Sequence, residues 1–183
     1  MKVRKGRKVR LDRGDEVVRI EVKKERKVRS DKKRDIKPTI SIEVKDRIYE
    51  LSYIMTYPVK DVCELMIRHA IGDSVVLGRV SRSFKRGIWF NECLYHGSSF
   101  NHGVGRGELG KTSRISFRVD GELYDKLGGL AYALDCTVSR ACAVLLYESL
   151  IDREFIERCV SESVLDVSRE REVVVLYSKI RFR

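Results

Sequence analysis

Two stretches of the chain repeat one pattern: alternating apolar and polar positions, a run at helical spacing, a break, and a second helical run. The first is PTISIEVKDRIYELSYIMTYPVKDVCELMIRHAI, beginning at Pro38; the second is SRISFRVDGELYDKLGGLAYALDCTVSRACAVLLYESLI, beginning at Ser113. In the first, Ile40, Ile42 and Val44 oppose Thr39, Ser41 and Glu43; in the second, Ile115, Phe117 and Val119 oppose Arg114, Ser116 and Arg118. Each predicts a strand with one buried and one polar face.

The next helix of the second copy carries Leu123, Leu127, Leu130, Ala131 and Leu134 behind an Asp120 cap; the first offers Ile48, Leu51, Ser52 and Met55. The strands align Ile40 with Ile115, whereas Val59, Cys63 and Ile71 match Val138, Cys142 and Leu150 at an offset larger by four positions. That difference is close to one helical turn, so the first copy's helix can be shorter without rotating its apolar face.

The second helix is apolar over a broad arc in both copies: Val62, Cys63, Leu65, Met66, Ile67 and Ala70, then Ala141, Cys142, Val144, Leu145, Leu146 and Leu150. One partner helix cannot cover such an arc, which places it at the centre of a dimer-like core. A lone strand-helix-helix unit also leaves two unpaired strand edges, so two units must pair. The simplest arrangement is an intramolecular pseudo-dimer in which strand 39–44 pairs with strand 114–119. Pairing with a second chain is the alternative.

The second copy, with Thr137 and Ser139 opening its second helix, resembles the ribbon-helix-helix family of DNA-binding regulators. The first copy is similar but has Pro58 near that position. The resemblance spans both copies and implies an α+β, mainly helical fold of tandem ribbon-helix-helix units, with double-stranded DNA as partner. It also implies that a two-stranded ribbon enters the major groove, with Arg114, Ser116, Arg118, Thr39, Ser41 and Glu43 as base-contacting candidates. The N-termini of the second helices would hold phosphates, through Thr137, Val138 and Ser139 in one copy and Val59 and Lys60 in the other.

The remaining chain divides into a basic arm over 1–37, a linker over 72–112 and a C-terminal helix and strand over 152–183, around units 38–71 and 113–151. In the arm, Val18, Ile20 and Val22 alternate near a turn at Gly14, which reads as a hairpin, with helix or disorder as alternatives. Within the linker, 75–84 and 88–95 read as structured, and 97–110, with five glycines, as a mobile loop. Phe155, Ile156, Cys159 and Val160 predict a short helix between 152 and 167, and EVVVLYSKIRFR a terminal strand.

Charge sharpens this picture. Of the formal net charge of +11, residues 1–37 carry +10, from 17 Lys/Arg against 7 Asp/Glu. Such an arm beside a near-neutral body is the footprint of a polyanion binder, through release of counterions condensed on phosphates. A solubilising tail is the bland alternative. The chain's 183 residues, 43% of them hydrophobic, are enough for a core. Five cysteines without paired spacing argue against a secreted disulfide framework. With no apolar run of membrane-spanning length, a cytoplasmic protein is expected. No Gln, two Asn and 36% charged residues match a thermophilic bias, as in an archaeon, its plasmid or its virus.

Two further motifs carry less weight. Residues 105–112, GRGELGKT, satisfy the phosphate-loop formula, but an alternating strand follows where the chemistry needs a helix. Cys93, His96 and His102 are three zinc-type ligands without an evident fourth. No cofactor, metal or catalytic constellation is expected. The leading expectation is a sequence-specific transcriptional regulator, forming a homodimer or higher oligomer where pairing is between chains. Alternatives are an antitoxin-type protein binding a partner through its C-terminal region, and an architectural or DNA-transfer accessory protein of low sequence preference.

Overall fold

In a computed structural model, residues 33–102, 104 and 111–163 are described. The basic hairpin near Val9 to Val22 and the C-terminal strand from Glu172 lie outside them. The described residues form an α+β, mainly helical fold. Strands β1 (Arg34–Ile36) and β2 (Thr39–Ser41) lead into α1 (Ile42–Met55), α2 (Val59–Ala70) and α3 (Ser74–Ser81). After a hairpin of β3 (Ile88–Phe90) and β4 (Cys93–Tyr95), strands β5 (Thr112–Arg114) and β6 (Phe117–Val119) lead into α4 (Gly121–Leu134), α5 (Val138–Ile151) and α6 (Arg153–Ser163). Among the described residues no single helix is long and apolar enough to cross a membrane.

The two halves repeat at one offset. Ile42, Val59 and Ser74 open the helices of the first half, and Gly121, Val138 and Arg153 open those of the second; the separation is the same in all three pairs. The expected alignment of Ile40 with Ile115 and the shorter first helix are therefore corrected: α1 and α4 each have 14 residues. Ser41 ends the strand because its side chain accepts the Val44 N–H (3.3 Å) as an N-cap, as Asp120 accepts that of Leu123 (2.8 Å) in the other half. Ile42 and Val44, which extend the apolar alternation in sequence, thus fall in the first turn of α1. The true counterparts of Ile115, Phe117 and Val119 are Ile36, Pro38 and Ile40. Both first helices also end alike, with Thr56 and Asp135 in the left-handed region, at φ 54° and 53°.

The strands pair across the halves. β2 runs antiparallel to β5, with Thr39 opposite Arg114, and β1 to β6, with Ile36 opposite Phe117. Both pairings share one register, so 34–41 and 112–119 form a single ribbon. At its middle, Ile115 N–H donates to the Pro38 carbonyl (3.3 Å), and the proline ring nitrogen has no proton to return. Lys37 stands opposite Ser116, its own counterpart in the repeat. Strand 39–44 is thus corrected to 34–41, and 114–119 to 112–119; of the expected pairing, Thr39 with Arg114 is what the register retains.

Under the ribbon, Ile36, Ile40, Ile115, Phe117 and Val119 close one core with the helices. Helix α5 is central, packing against α1, α2, α3, α4 and α6, and α2 lies beneath β6. Ser149, on the buried face of α5, returns its hydroxyl to the Leu145 carbonyl (2.6 Å), which satisfies it without water. Cys63 and Cys142, repeat counterparts on α2 and α5, are fully buried, and desolvation pushes both thiols up to about 12.

Each third helix belongs to the repeat as well. Asp73 caps α3 by accepting from Val75 and Val76 N–H (both 2.9 Å), and its counterpart Asp152 accepts from Phe155 N–H (3.0 Å). Arg79 of α3 reaches Asp152 (3.0 Å) and Glu148 (3.2 Å), and Arg158 of α6 reaches Asp73. The helices thus exchange arginines, each bonding the cap of the other. Burial raises the Asp152 pKa, but the Phe155 amide and Arg79 outweigh it and hold the carboxyl below its ordinary 3.8.

The intervening segment is built onto the second half. Lys85 and Arg86 N–H both donate to the Ala133 carbonyl (2.7 and 3.1 Å), and the Arg86 side chain bonds Asp135 (2.6 Å) and the Tyr132 carbonyl (3.0 Å). A Cβ at Gly97 would overlap the Arg86 backbone.

Replacing Arg79 with Ala is expected to cost about 2 kcal/mol at neutral pH, since it leaves Asp152 and Glu148 partly buried without their cation. The Asp152 contribution is present above the ordinary carboxyl pKa and lost as pH falls below it. Urea denaturation should therefore show the gap from wild type narrowing below about pH 3.8. In native protein a thiol reagent is expected to modify exposed Cys93 quickly and Cys63 and Cys142 only on unfolding, read by mass mapping of the labelled peptides.

Candidate nucleic-acid interface

Strand alternation turns six polar side chains outward on the ribbon. Asp35, Lys37 and Thr39 come from the first strand and Arg114, Ser116 and Arg118 from the second; all are exposed, while Ile36, Pro38, Ile40, Ile115, Phe117 and Val119 between them are buried. The register sets them in three rows: Asp35 with Arg118, Lys37 with Ser116, and Thr39 with Arg114.

Four of the base-contact candidates, Arg114, Ser116, Arg118 and Thr39, share this face. Two do not belong to its middle. Ser41, half-buried at the ribbon's end opposite Thr112, is the N-cap of α1. Glu43 is an exposed residue of the first turn of α1, not a strand residue. Asp35 and Lys37 were missed, because drawing the first unit from Pro38 left them in the arm. Their signal was the spacing of Ile36, Pro38 and Ile40, which continues the alternation backward through the proline.

Asp35 is the most connected group on the face. It accepts from Ser116 Oγ (3.1 Å) and lies 3.1 Å from Lys37 Nζ and 3.9 Å from Arg118 Nε. The Lys37 hydrogen bond, with Ser116 and Arg118 behind it, holds this carboxyl below its usual range. By contrast, Arg114 has no hydrogen-bonding or ionic partner among the described residues. The three rows therefore carry three cations and one anion, and Arg114, without an ionic partner among the described residues, stands at one end.

Flanking cations are held by the scaffold. Lys33 pairs with Glu64 (2.6 Å), and Arg34 lies over the Tyr124 ring (4.5 Å) and 3.7 Å from Asp125. Arg68 bridges Glu64 (3.1 Å) and Asp120 (2.6 Å). The Leu123 amide, with Arg68 second, holds the Asp120 carboxyl low.

At the candidate phosphate positions, Thr137 caps α5 by accepting from Arg140 N–H (3.3 Å), with Val138 and Ser139 in the first turn. Its counterpart Pro58 caps α2 without a side-chain hydrogen bond, ahead of half-buried Val59 and exposed Lys60. For the set-aside motifs, Thr112 lies in β5 rather than at a helix start, and 105–110 lie outside the described residues. Among the described residues no three His, Cys, Asp or Glu side chains gather as a metal site, Cys93, His96 and His102 included.

Ser41→Ala is expected to cost about 1 kcal/mol in thermal or chemical denaturation, through loss of the α1 cap. A stability change near zero would return Ser41 to the surface residues without a structural task.

Comparison with protein-family models, with curated proteins and with solved structures finds no match to this chain.

Proposed function

We propose that this chain is a sequence-specific duplex-DNA binder and transcriptional regulator. In this reading it is a tandem ribbon-helix-helix protein whose two units form a pseudo-dimer within one polypeptide. The observation that carries it is the ribbon: counterparts Lys37 and Ser116 face each other at its centre, as residues related by a local two-fold axis would. Its apolar side seals the helices and its outer side offers donors and acceptors.

A major groove about 12 Å wide admits a two-stranded ribbon, and its base edges present donor and acceptor patterns that distinguish all four base pairs. Arg114 and Arg118 suit guanine O6 and N7, and the hydroxyls of Ser116 and Thr39 serve either base type. The N-termini of α5 and α2 provide free amides for phosphates, with the α2 site weaker for want of a Ser/Thr cap. Residues 1–32, with 14 Lys/Arg against 6 Asp/Glu, add salt-dependent affinity for any duplex. Because the paired strands differ in sequence, the preferred site is non-palindromic.

The test is selection of bound duplexes at two salt concentrations with wild type and an Arg114→Ala/Arg118→Ala variant. Wild type is expected to enrich a non-palindromic consensus. The variant should lose about 10- to 100-fold in discrimination while keeping salt-sensitive, non-specific binding. Uniform weakening on all sequences would assign these arginines to phosphates, and an unselective wild type would make the protein architectural.

A further inference from the structure

The two ends of the ribbon's outer face are chemically unlike. At one end Thr39 is paired with Arg114, a hydroxyl beside a guanidinium; at the other Asp35 is paired with Arg118, a carboxylate beside a guanidinium. Asp35 is the repeat counterpart of Arg114, so the first half carries an anion where the second carries a cation.

An anion on a DNA-facing surface is repelled by phosphates and by the acceptor edges of guanine, O6 and N7. The major groove offers it a donor at the cytosine N4 amino group. A C·G pair presents that donor next to the guanine O6 and N7 acceptors, which call for an arginine. Asp35 and Arg118 stand directly opposite one another, with Asp35 Oδ1 3.9 Å from Arg118 Nε. Their side chains are 43% and 73% exposed, so each can exchange this loose contact for a base edge. Ser116 Oγ and Lys37 Nζ, both 3.1 Å from the carboxylate, hold it in place and ionised.

Building on the DNA-binding reading, we propose that Asp35 and Arg118 together read one C·G base pair, the carboxylate accepting from cytosine N4 and the guanidinium donating to guanine. The row makes one half of the target site differ from the half beneath Thr39 and Arg114.

The test uses the full-length chain and the duplex selected by wild type, with each base pair substituted in turn and affinity measured at fixed salt. For wild type one C·G pair in one half is expected to be preferred about tenfold over the other three pairs. In Asp35→Ala that preference should fall to within about twofold, with preferences in the other half retained and affinity for unrelated duplexes raised. In Asp35→Asn the preference should move toward A·T, because an amide pairs with adenine N6 and N7. Asp35 is exposed and its contacts lie on the surface, so both variants should melt together with wild type.

Unchanged discrimination at every position in both variants, with affinity rising uniformly, would overturn the assignment and leave the DNA-binding reading standing. Failure of wild type to prefer any duplex would overturn both.

Discussion

Antiparallel pairing of residues 34–41 with 112–119 is the constraint on which the rest of the protein depends. Each strand alone would expose two unsatisfied edges and one apolar face, and each set of helices would be open where the strand of the other half covers it. Joining the strands removes one edge from each and lays Ile36, Ile40, Ile115, Phe117 and Val119 over the helices as a common lid. Burying side chains of this kind contributes roughly 1.5–3 kcal/mol apiece, against which the one ladder bond lost at Pro38 is small. The pairing also fixes the outer face, because alternation that sends the apolar residues inward sends Asp35, Lys37, Thr39, Arg114, Ser116 and Arg118 outward.

The halves are tied a second time at the opposite end of the repeat. Arg79 and Arg158 each cross to the aspartate that caps the third helix of the other half, so an interaction ordinarily local to a helix terminus becomes a contact between units. In between, α5 and α2 bring their apolar arcs together, with Cys63 and Cys142 too deeply buried to act as thiolates. The segment joining the halves adds to this by hydrogen bonding Lys85 and Arg86 to the end of α4. It is part of the architecture of the second half and not a bare tether.

Carrying both strands on one chain has a physical consequence for the ribbon's outer face. Two identical strands would present the same side chains at both ends of a ribbon, whereas strands of one polypeptide are free to diverge. Here the divergence is concentrated outside: Asp35 against Arg114, Lys37 against Ser116 and Thr39 against Arg118, while the buried counterparts remain apolar. Packing density tolerates little change in the core, and the solvent-facing side of a strand tolerates a great deal.

The sequence by itself determined the helices and the existence of a repeat, because Leu123, Leu127, Leu130 and Leu134, or Val62, Cys63 and Met66, recur at a spacing that only a helix brings to one face. It also determined that the alternating segments have one polar side, and so four of the six outward residues of the ribbon. What tertiary structure decided was where the first strand lies. Ile42 and Val44 alternate with polar neighbours as a strand would, yet Ser41 caps a helix there, and Pro38 conceals a strand that starts at Arg34. Local pattern could not separate these readings, since residues 40–44 fit both periods over so short a length. The partner strand settles it: the register placing Lys37 opposite Ser116 turns Ile36, Ile40, Ile115 and Phe117 toward the same core, and a one-residue slip would not. The exchange of Arg79 and Arg158 was likewise outside the reach of sequence, because it depends on contacts between side chains 73 and 85 positions apart.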